Sequence, residues 1–255
     1  MTRSVGTAER RAGPGEPGFD YDRLPPGYYD HVYHAGTGVR SKWHHMKFQR
    51  FAAALQGLHR HLDIGCGPGT FIGSLPEGAH ASLGIDIAKP QIAYAEAHYG
   101  GPGRSFRAIP ASSLPFEPAS FDAVTLIELI EHLPRPTNVK LLRDALGVLK
   151  PGGKIFVSTP NYHSAWPLIE RLVSRVGGVN YGAQHITRYH RASLRALLED
   201  AGATDVRVEG YMLAAPFAAG LSWRLADILA RLEPRFLTDR LGLLLFASGT
   251  KRNGY

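Results

Sequence analysis

The sequence predicts an α/β protein with a doubly wound, mostly parallel sheet of seven strands and an antiparallel closing strand. Three observations support this prediction. Short apolar segments alternate with amphipathic segments through residue 160, which is typical of parallel strands joined by helices. One segment, Phe121–Ile127, is nearly all apolar, as expected of a strand buried on both faces. Another, His61–Ile64, runs into a glycine-rich loop, the usual ligand-binding turn of such sheets.

Apolar runs bounded by turn residues define the strands in order. The strands are predicted at 61–64, 82–87, 105–109, 121–127, 154–158, 205–212 and 241–247. The last two surround a helical segment and are expected to close the sheet as an antiparallel pair. The sequence contains no internal repeat, so we expect one domain to hold all of these strands.

Apolar residues at three- and four-residue steps, together with start and stop signals, define the helices. The helices are predicted at 41–58, 71–75, 89–99, 138–149, 165–176, 191–201 and 217–232. Pro90 lies in the first turn of its helix, where a missing N–H costs no hydrogen bond. Gly202 follows the helix 191–201, at the position where glycine commonly ends a helix.

Length and composition favour a single domain in the cytoplasm. The chain has 255 residues, of which 44% are hydrophobic, enough for one substantial core. Residues 1–20 are rich in Arg, Gly, Pro and Glu and are predicted to be a disordered tail, which leaves 21–255 as the domain. The sequence shows neither an apolar leader in Met1–Pro17 nor an apolar run long enough to span a bilayer. We therefore expect a cytoplasmic protein.

The net charge of +7 favours anionic partners or surfaces. The arginines are scattered and form no block, which argues against a nucleic-acid groove. A single cysteine, Cys66, excludes an intrachain disulfide. Its position in the glycine loop suggests a nucleophile, but no base is aimed at it in the sequence pattern, and a small, weakly polar filler is the preferred interpretation.

The glycine loop, with the two aspartates around it, indicates the kind of ligand. Gly65, Gly67 and Gly69 follow Asp63 in the segment HLDIGCGPGT. A dinucleotide site usually reads GxGxxG, and an acidic residue before the loop would repel a pyrophosphate. It would suit a ligand with a cationic or amine end. Asp86 ends the second strand, where an acidic side chain binds ribose hydroxyls in this architecture.

Five segments together resemble the successive motifs of class I S-adenosylmethionine-dependent methyltransferases. They read DIGCGPGT, LGIDIA, SSLPFEPASFDAV, ELIEHL and LKPGGKIFVSTPN, and the resemblance covers residues 45–210. It is greatest to the ubiquinone-biosynthesis O-methyltransferases and their small-molecule relatives. It implies a Rossmann-like methyltransferase fold with S-adenosylmethionine as cofactor. It also implies helical insertions over the acceptor pocket, which we expect at about 161–185 and 214–240.

The resemblance implies a set of cofactor contacts. Asp63 orders the loop or contacts the amine, Asp86 binds the ribose, and Ile87 lies against the adenine. Lys47, in the helix before the loop, is the candidate for the methionine carboxylate, with Arg40 as the alternative. Pro110 stands where the family usually has Asp, which leaves the adenine contact to the backbone of the next two residues. The remaining implied contacts are Gly65, Cys66, Gly67, Gly69, Ala111, Ser112 and Ile127.

Two groups of residues are candidates for acid–base or metal chemistry. Glu128, Glu131 and His132 follow the fourth strand, and the matching residues of the ubiquinone branch are associated with a divalent metal. Mg²⁺ bound there would lower the pKa of an acceptor hydroxyl. Metal-free relatives share the motif, however, and the expected role is packing under the cofactor. His185 borders the acceptor pocket in the family and is a candidate base, as is His132, with a structural role for His185 equally open.

The two apolar helices 165–176 and 217–232, with arginines between their apolar residues, suggest an apolar or lipid-like acceptor. Methylation at a hydroxyl oxygen is the preferred reaction, with N- or C-methylation as the first alternative. A nicotinamide-dependent oxidoreductase and a non-catalytic cofactor-binding protein are further alternatives. The helix 217–232 could act as a lid, a dimer surface or a contact with an anionic membrane. The sequence does not decide between these roles or define the oligomeric state.

Overall fold

The computed structural model describes residues 25–176 and 184–253. Within these ranges the strands form one seven-stranded sheet in the order β3-β2-β1-β4-β5-β7-β6. The strands are β1 (Arg60–Ile64), β2 (Ala81–Asp86), β3 (Arg104–Ala108), β4 (Phe121–Ile127), β5 (Leu149–Pro160), β6 (Ala203–Tyr211) and β7 (Leu244–Lys251). The predicted tail 1–20 and the predicted loop 177–182 lie outside the described residues.

The strand pairing confirms the predicted mixed sheet. Strands β3, β2, β1, β4 and β5 are parallel to their neighbours, whereas β7 runs antiparallel to both β5 and β6. The chain order reverses direction in the sheet between β1 and β4. At such a point the loops after two adjacent strands diverge and leave a crevice at the carboxyl ends of the strands. The glycine loop after β1 lies at this crevice.

The helices cover both faces of the sheet. They are α1 (Tyr28–His34), α2 (Gly38–Ala54), α3 (Thr70–Ser74), α4 (Lys89–Tyr99), α5 (Arg135–Val148), α6 (Trp166–Val176), α7 (Arg191–Asp200), α8 (Ala215–Ala218), α9 (Trp223–Leu232) and α10 (Arg235–Leu241). Side chains alternate along β4: Val124 and Leu126 join the core under α5 and α7, while Ala123 joins the core under α2. This explains why the sequence of β4 is apolar throughout.

The predicted helix 217–232 is wrong as one continuous element. The structure has two helices, α8 and α9, separated by a turn in which Leu221 is 88% exposed. Ser222 causes the restart, because its side chain caps α9 by accepting a hydrogen bond from the N–H of Leu225 at 3.4 Å. The predicted helix 41–58 also differs, since α2 begins at Gly38 and ends at Ala54.

Two short helices, α1 and α10, were not predicted. Each has seven residues and follows a proline-containing turn that reads as a chain break in the sequence. Helix α1 matters for the site because Asp30 lies buried against the helix after the glycine loop. Its carboxylate accepts a hydrogen bond from the hydroxyl of Thr70 at 2.8 Å.

Gly69 and Gly67 give a matched test of the glycine loop. Both have positive φ, 76° and 52°, but a Cβ on Gly69 would lie 2.7 Å from the Phe106 ring, whereas Gly67 faces open space. Gly67→Ala should cost about 1–2 kcal/mol of stability from the backbone conformation alone. Gly69→Ala should cost about 1–3 kcal/mol more from overpacking. Urea unfolding of the two variants measures the difference, and equal losses would contradict this packing argument.

Candidate functional site

A cavity of about 320 Å³ opens at the carboxyl ends of β1, β2 and β4. Its inner wall contains the glycine loop and the ends of the strands, and its outer wall contains aromatic and aliphatic residues of α2, α6 and α8. The inner residues are Asp63, Gly65, Cys66, Gly67, Asp86, Ile127, Glu128, Glu131 and His132. The outer residues include Trp43, Trp166, Ile169, Val173, His185 and Phe217.

Asp86 holds the glycine loop against the end of β2. One carboxylate oxygen accepts a hydrogen bond from the N–H of Gly67 at 2.9 Å, and the other accepts from the N–H of Ala88 at 2.8 Å. Burial raises the pKa of Asp86, although these backbone hydrogen bonds oppose the effect. The residue predicted to bind ribose therefore also shapes the loop that would hold the rest of the cofactor.

Asp63 is buried under the loop at the end of β1. Its carboxylate accepts a hydrogen bond from the Thr125 hydroxyl at 2.5 Å. Because that hydroxyl hydrogen is used, His61 must donate from Nε2 to the Thr125 oxygen, 2.8 Å away. Burial lowers the pKa of His61 to about 3, so its ring is neutral. His61 thus belongs to a buried polar chain that orients Asp63.

The pKa of Asp63 gives a pH prediction. Burial, with a smaller contribution from the charge of Asp86, raises this pKa to about 7. In the free protein at pH 6 the carboxyl is protonated, and a ligand carrying an ammonium or sulfonium group favours the ionised form. S-adenosylmethionine binding should therefore release a proton at pH 6, and its affinity should increase as the pH rises from 5 to 8. Calorimetry in buffers of different ionisation enthalpy measures the release.

Asp63→Asn is the control for this prediction, because the amide keeps the acceptor for Thr125 and cannot ionise. It should bind the cofactor weakly, with a smaller proton release. Buffer-independent binding enthalpy of the wild-type protein at pH 6 would contradict the assignment.

Lys47 and Glu128 form an ion pair inside the cavity, with the Lys47 side chain 5% exposed. Glu128 occupies the left-handed region with φ of 52°, a conformation that is uncommon for residues other than glycine. This left-handed residue follows directly after the last residue of β4. The predicted metal candidate Glu128 and the predicted carboxylate contact Lys47 are thus partners of each other, a pairing that the sequence did not indicate.

Glu131, His132 and His185 form a separate cluster. One ligand atom from each lies within 4.8 Å of the others. Burial raises the pKa of Glu131 to about 8, assisted by the charge of Glu128, and burial lowers the pKa of His132 to about 4. In the described part of the chain, one carboxylate oxygen of Glu131 has no hydrogen-bond partner. Two of the predicted metal candidates, Glu131 and His132, thus meet His185 in this cluster, whereas the third, Glu128, pairs with Lys47.

His185 is held by Glu170 and Tyr162 at the boundary between α6 and the cavity. The Nδ1 atom of His185 is hydrogen-bonded to Glu170, and the Tyr162 hydroxyl lies 2.8 Å from both the Glu170 carboxylate and Nδ1. An ionised carboxylate only accepts hydrogen bonds, so Tyr162 and His185 Nδ1 both donate to Glu170. The lone pair of a neutral His185 is then on Nε2.

Glu170 was not among the residues predicted from sequence. It is buried in α6, between the exposed apolar residues of that helix. A lone acidic residue in a helix whose other charged residues are arginines was the signal that could have found it. Its partner His185 lies beyond a segment whose path the sequence does not reveal.

The other predicted cofactor residues divide into two groups. Cys66 lines the cavity, and burial raises the pKa of its thiol, which agrees with a filler rather than a nucleophile. Ile127 and Gly65 also line it. Among the described residues, the following predicted contacts do not line this cavity: Gly69, Ile87, Ala111 and Ser112. Ile87 is 59% exposed beside Asp86, at the open edge of the site.

A doubly wound sheet in which a glycine loop and two strand-end aspartates meet at one cavity defines a nucleotide-cofactor-binding protein of the Rossmann-like class. A family model described as methyltransferase domain matches residues 40–208. The chain belongs to this family, the class I S-adenosylmethionine-dependent methyltransferases.

Similar proteins agree with this assignment. The ubiquinone biosynthesis O-methyltransferase of Bordetella avium is 36% identical over 131 residues, which are 50% of this chain and 52% of that protein. The one from Idiomarina loihiensis is 34% identical over 155 residues, 58% of this chain and 63% of that protein. The chain thus spans between half and two thirds of the length of these curated relatives.

Solved structures share the fold at low sequence identity. A SAM-dependent methyltransferase from Thermotoga maritima has a TM-score of 0.62 and 18% identity, covering 88% of this chain and 94% of that one. One from Archaeoglobus fulgidus has a TM-score of 0.59 and 21% identity, covering 82% and 94%. None of the helices in residues 25–176 and 184–253 has the length and hydropathy needed to cross a membrane.

Proposed function

We propose that this protein transfers a methyl group from S-adenosylmethionine to a hydroxyl oxygen of a small, apolar or lipid-like acceptor. The observation that carries the proposal is a single cavity that extends from the glycine loop to His185, with an apolar outer wall. The same lining reaches from the glycine loop to His185, so a cofactor bound at the loop would lie next to an acceptor bound at His185. A cytoplasmic location is part of this proposal.

The inner wall fits the cofactor in shape and charge. Gly67 has positive φ and open space where a Cβ would stand, so the backbone can approach a ligand closely. Asp63 and Asp86 provide buried carboxylates for a cationic amine and for ribose hydroxyls. When bound, the sulfonium cofactor supplies an activated methyl group, and the protein has to hold the accepting atom in line with it.

In this proposal His185 is the general base for the acceptor hydroxyl. Its Nε2 carries the lone pair, because the Nδ1–H donates to the Glu170 carboxylate. A base oriented by a buried carboxylate can accept a proton without changing its tautomer. Trp166, Ile169 and Phe217 would contact the apolar part of the acceptor, since they line the same cavity.

The cluster of Glu131, His132 and His185 also fits a divalent cation. A bound cation is the alternative to His185 acting as the base. Two imidazoles and a carboxylate are donors that suit Zn²⁺ or Mn²⁺ better than Mg²⁺. A cation bound there would lower the pKa of an acceptor hydroxyl. His185 would then be a ligand and not a base, so chelator-treated protein distinguishes the two arrangements: retained methyl transfer favours the base.

A methyl-transfer assay tests the proposal. The protein is incubated with S-adenosylmethionine and matched aromatic acceptors bearing a hydroxyl, an amine or a methyl ether on an apolar ring. The hydroxyl compound should give a product heavier by one methylene unit, detected by mass spectrometry, and the methyl ether should give none. Product from the amine alone would assign N-methylation and overturn the O-methylation proposal.

A further inference from the structure

Helices α6, α9 and α10 leave large apolar side chains uncovered. Leu168 on α6 and Leu232 on α9 are each 68% exposed, and Phe236 on α10 is 72% exposed. Leu225 and Ile228 share one face of α9 with Leu232, because they are three and four residues apart. A concentration of this kind marks an interaction surface. We refer to the exposed residues of these helices, with the turn at Leu221, as the basic apolar face.

The basic and acidic residues of these helices differ in whether they have partners within the protein. In the described part of the chain, six exposed arginines of these helices make no ion pair: Arg171, Arg175, Arg224, Arg231, Arg235 and Arg240. The carboxylates have partners within the protein: Asp227 binds Lys42, Glu233 accepts from the backbone N–H groups at 213–215, Asp239 binds Arg191, and Glu170 binds His185. The outer surface is therefore apolar and cationic.

The basic apolar face is continuous with the mouth of the cavity. Val173 and Phe217 line the cavity and are 41% and 42% exposed. Trp43 lies between α6 and α8, with ring centroids 5.6 Å from Trp166 and 6.5 Å from Phe217. Helix α6 therefore carries both cavity-lining residues and exposed residues of the basic apolar face.

We propose that the basic apolar face docks on the anionic phospholipid surface of a bilayer, with the cavity mouth facing the lipid. The apolar side chains would enter the boundary between head groups and acyl chains, and the arginines would bind lipid phosphates. A second copy of the chain is a poorer occupant, because a two-fold contact would bring unpaired arginines of both copies together. The docking itself does not depend on the proposed function. The further step, in which the docked protein takes its acceptor from the lipid, rests on that proposed function.

Vesicle co-sedimentation tests the docking. Binding to phosphatidylcholine vesicles containing phosphatidylglycerol should exceed binding to pure phosphatidylcholine and should fall as salt rises. Arg224→Gln with Arg231→Gln should weaken the partition by about tenfold or more. Ile228→Ser with Leu232→Ser should weaken it as well, and both pairs should fold normally because the replaced side chains are exposed. The matched control is Arg107→Gln with Arg207→Gln, which removes the same charge from exposed positions on β3 and β6.

Each outcome has a definite meaning. No binding to anionic vesicles, or equal losses in the control pair, would overturn the proposal. Sedimentation velocity could instead show a concentration-dependent dimer that dissociates in the variant carrying Ile228→Ser and Leu232→Ser. That result would assign the face to a second copy of the chain and would also overturn the docking proposal. S-adenosylmethionine affinity is measured on the same samples: intact affinity without vesicle binding refutes the docking alone, and vesicle binding without methyl transfer refutes the proposed function alone.

Discussion

Asp86→Ala is expected to weaken S-adenosylmethionine binding by about 100-fold or more. The substitution removes two charge-assisted hydrogen bonds that fix the glycine loop, in addition to the predicted ribose contact. Each such bond contributes about 1.5–3 kcal/mol, so the expected loss is consistent with this fold-change. Calorimetric titration measures the affinity directly.

The control for Asp86 is Asp144→Ala, which removes an equal charge from an exposed pair with Lys140 on α5. This variant should bind the cofactor as the wild-type protein does. Asp86→Asn should fall between the two, because it retains an oxygen acceptor for one of the two backbone N–H groups. Wild-type affinity in Asp86→Ala would show that the ribose site is elsewhere.

His185→Ala is expected to reduce kcat by about 10²–10⁴, the usual contribution of a positioned base. Cofactor affinity should stay near the wild-type value, because the proposed role of His185 is contact with the acceptor and not with the cofactor. Glu170→Gln should reduce kcat less, since the amide oxygen still accepts from Nδ1 while the charge is lost. Steady-state kinetics and calorimetry on the same preparations separate the two effects.

A spectroscopic measurement distinguishes a base from a structural histidine. Nitrogen NMR of the wild-type protein should show the Nδ1–H tautomer of His185. Glu199→Gln, at an exposed pair on α7, is the matched control and should change neither the tautomer nor kcat. An Nε2–H tautomer in the wild-type protein, or full turnover in His185→Ala, would contradict the proposed role.

The strand ends could be predicted from sequence because the signals there are local. Asp63 and Asp86 each end a short apolar strand, and parallel strands place their carboxyl ends at the same edge. The mixed sheet followed from the alternation of apolar segments, and its pairing confirms the prediction. The bounds of α4 and β4 also agree, because proline, glycine and apolar periodicity all mark the same residues.

The acceptor side could not be predicted to the same depth. The meeting of Glu170 with His185 depends on how α6 packs, and no periodicity specifies that packing. The pair of Lys47 with Glu128 depends on a left-handed residue at a position where the sequence has no glycine. The helix 217–232 was predicted as continuous because its apolar residues keep a helical period through the turn at Leu221.

The buried carboxyl groups of the site have a consequence for evolution and engineering. Asp63 has a raised pKa, so the unfolded chain ionises more readily than the native one, and stability falls as pH rises from about 4 to about 7. Glu131, with its pKa near 8, adds to this cost. Selection for thermostability alone would therefore replace these acids and lose the activity. Ligands that bind the native state raise its melting temperature by mass action, so unknown acceptors can be screened without observing turnover.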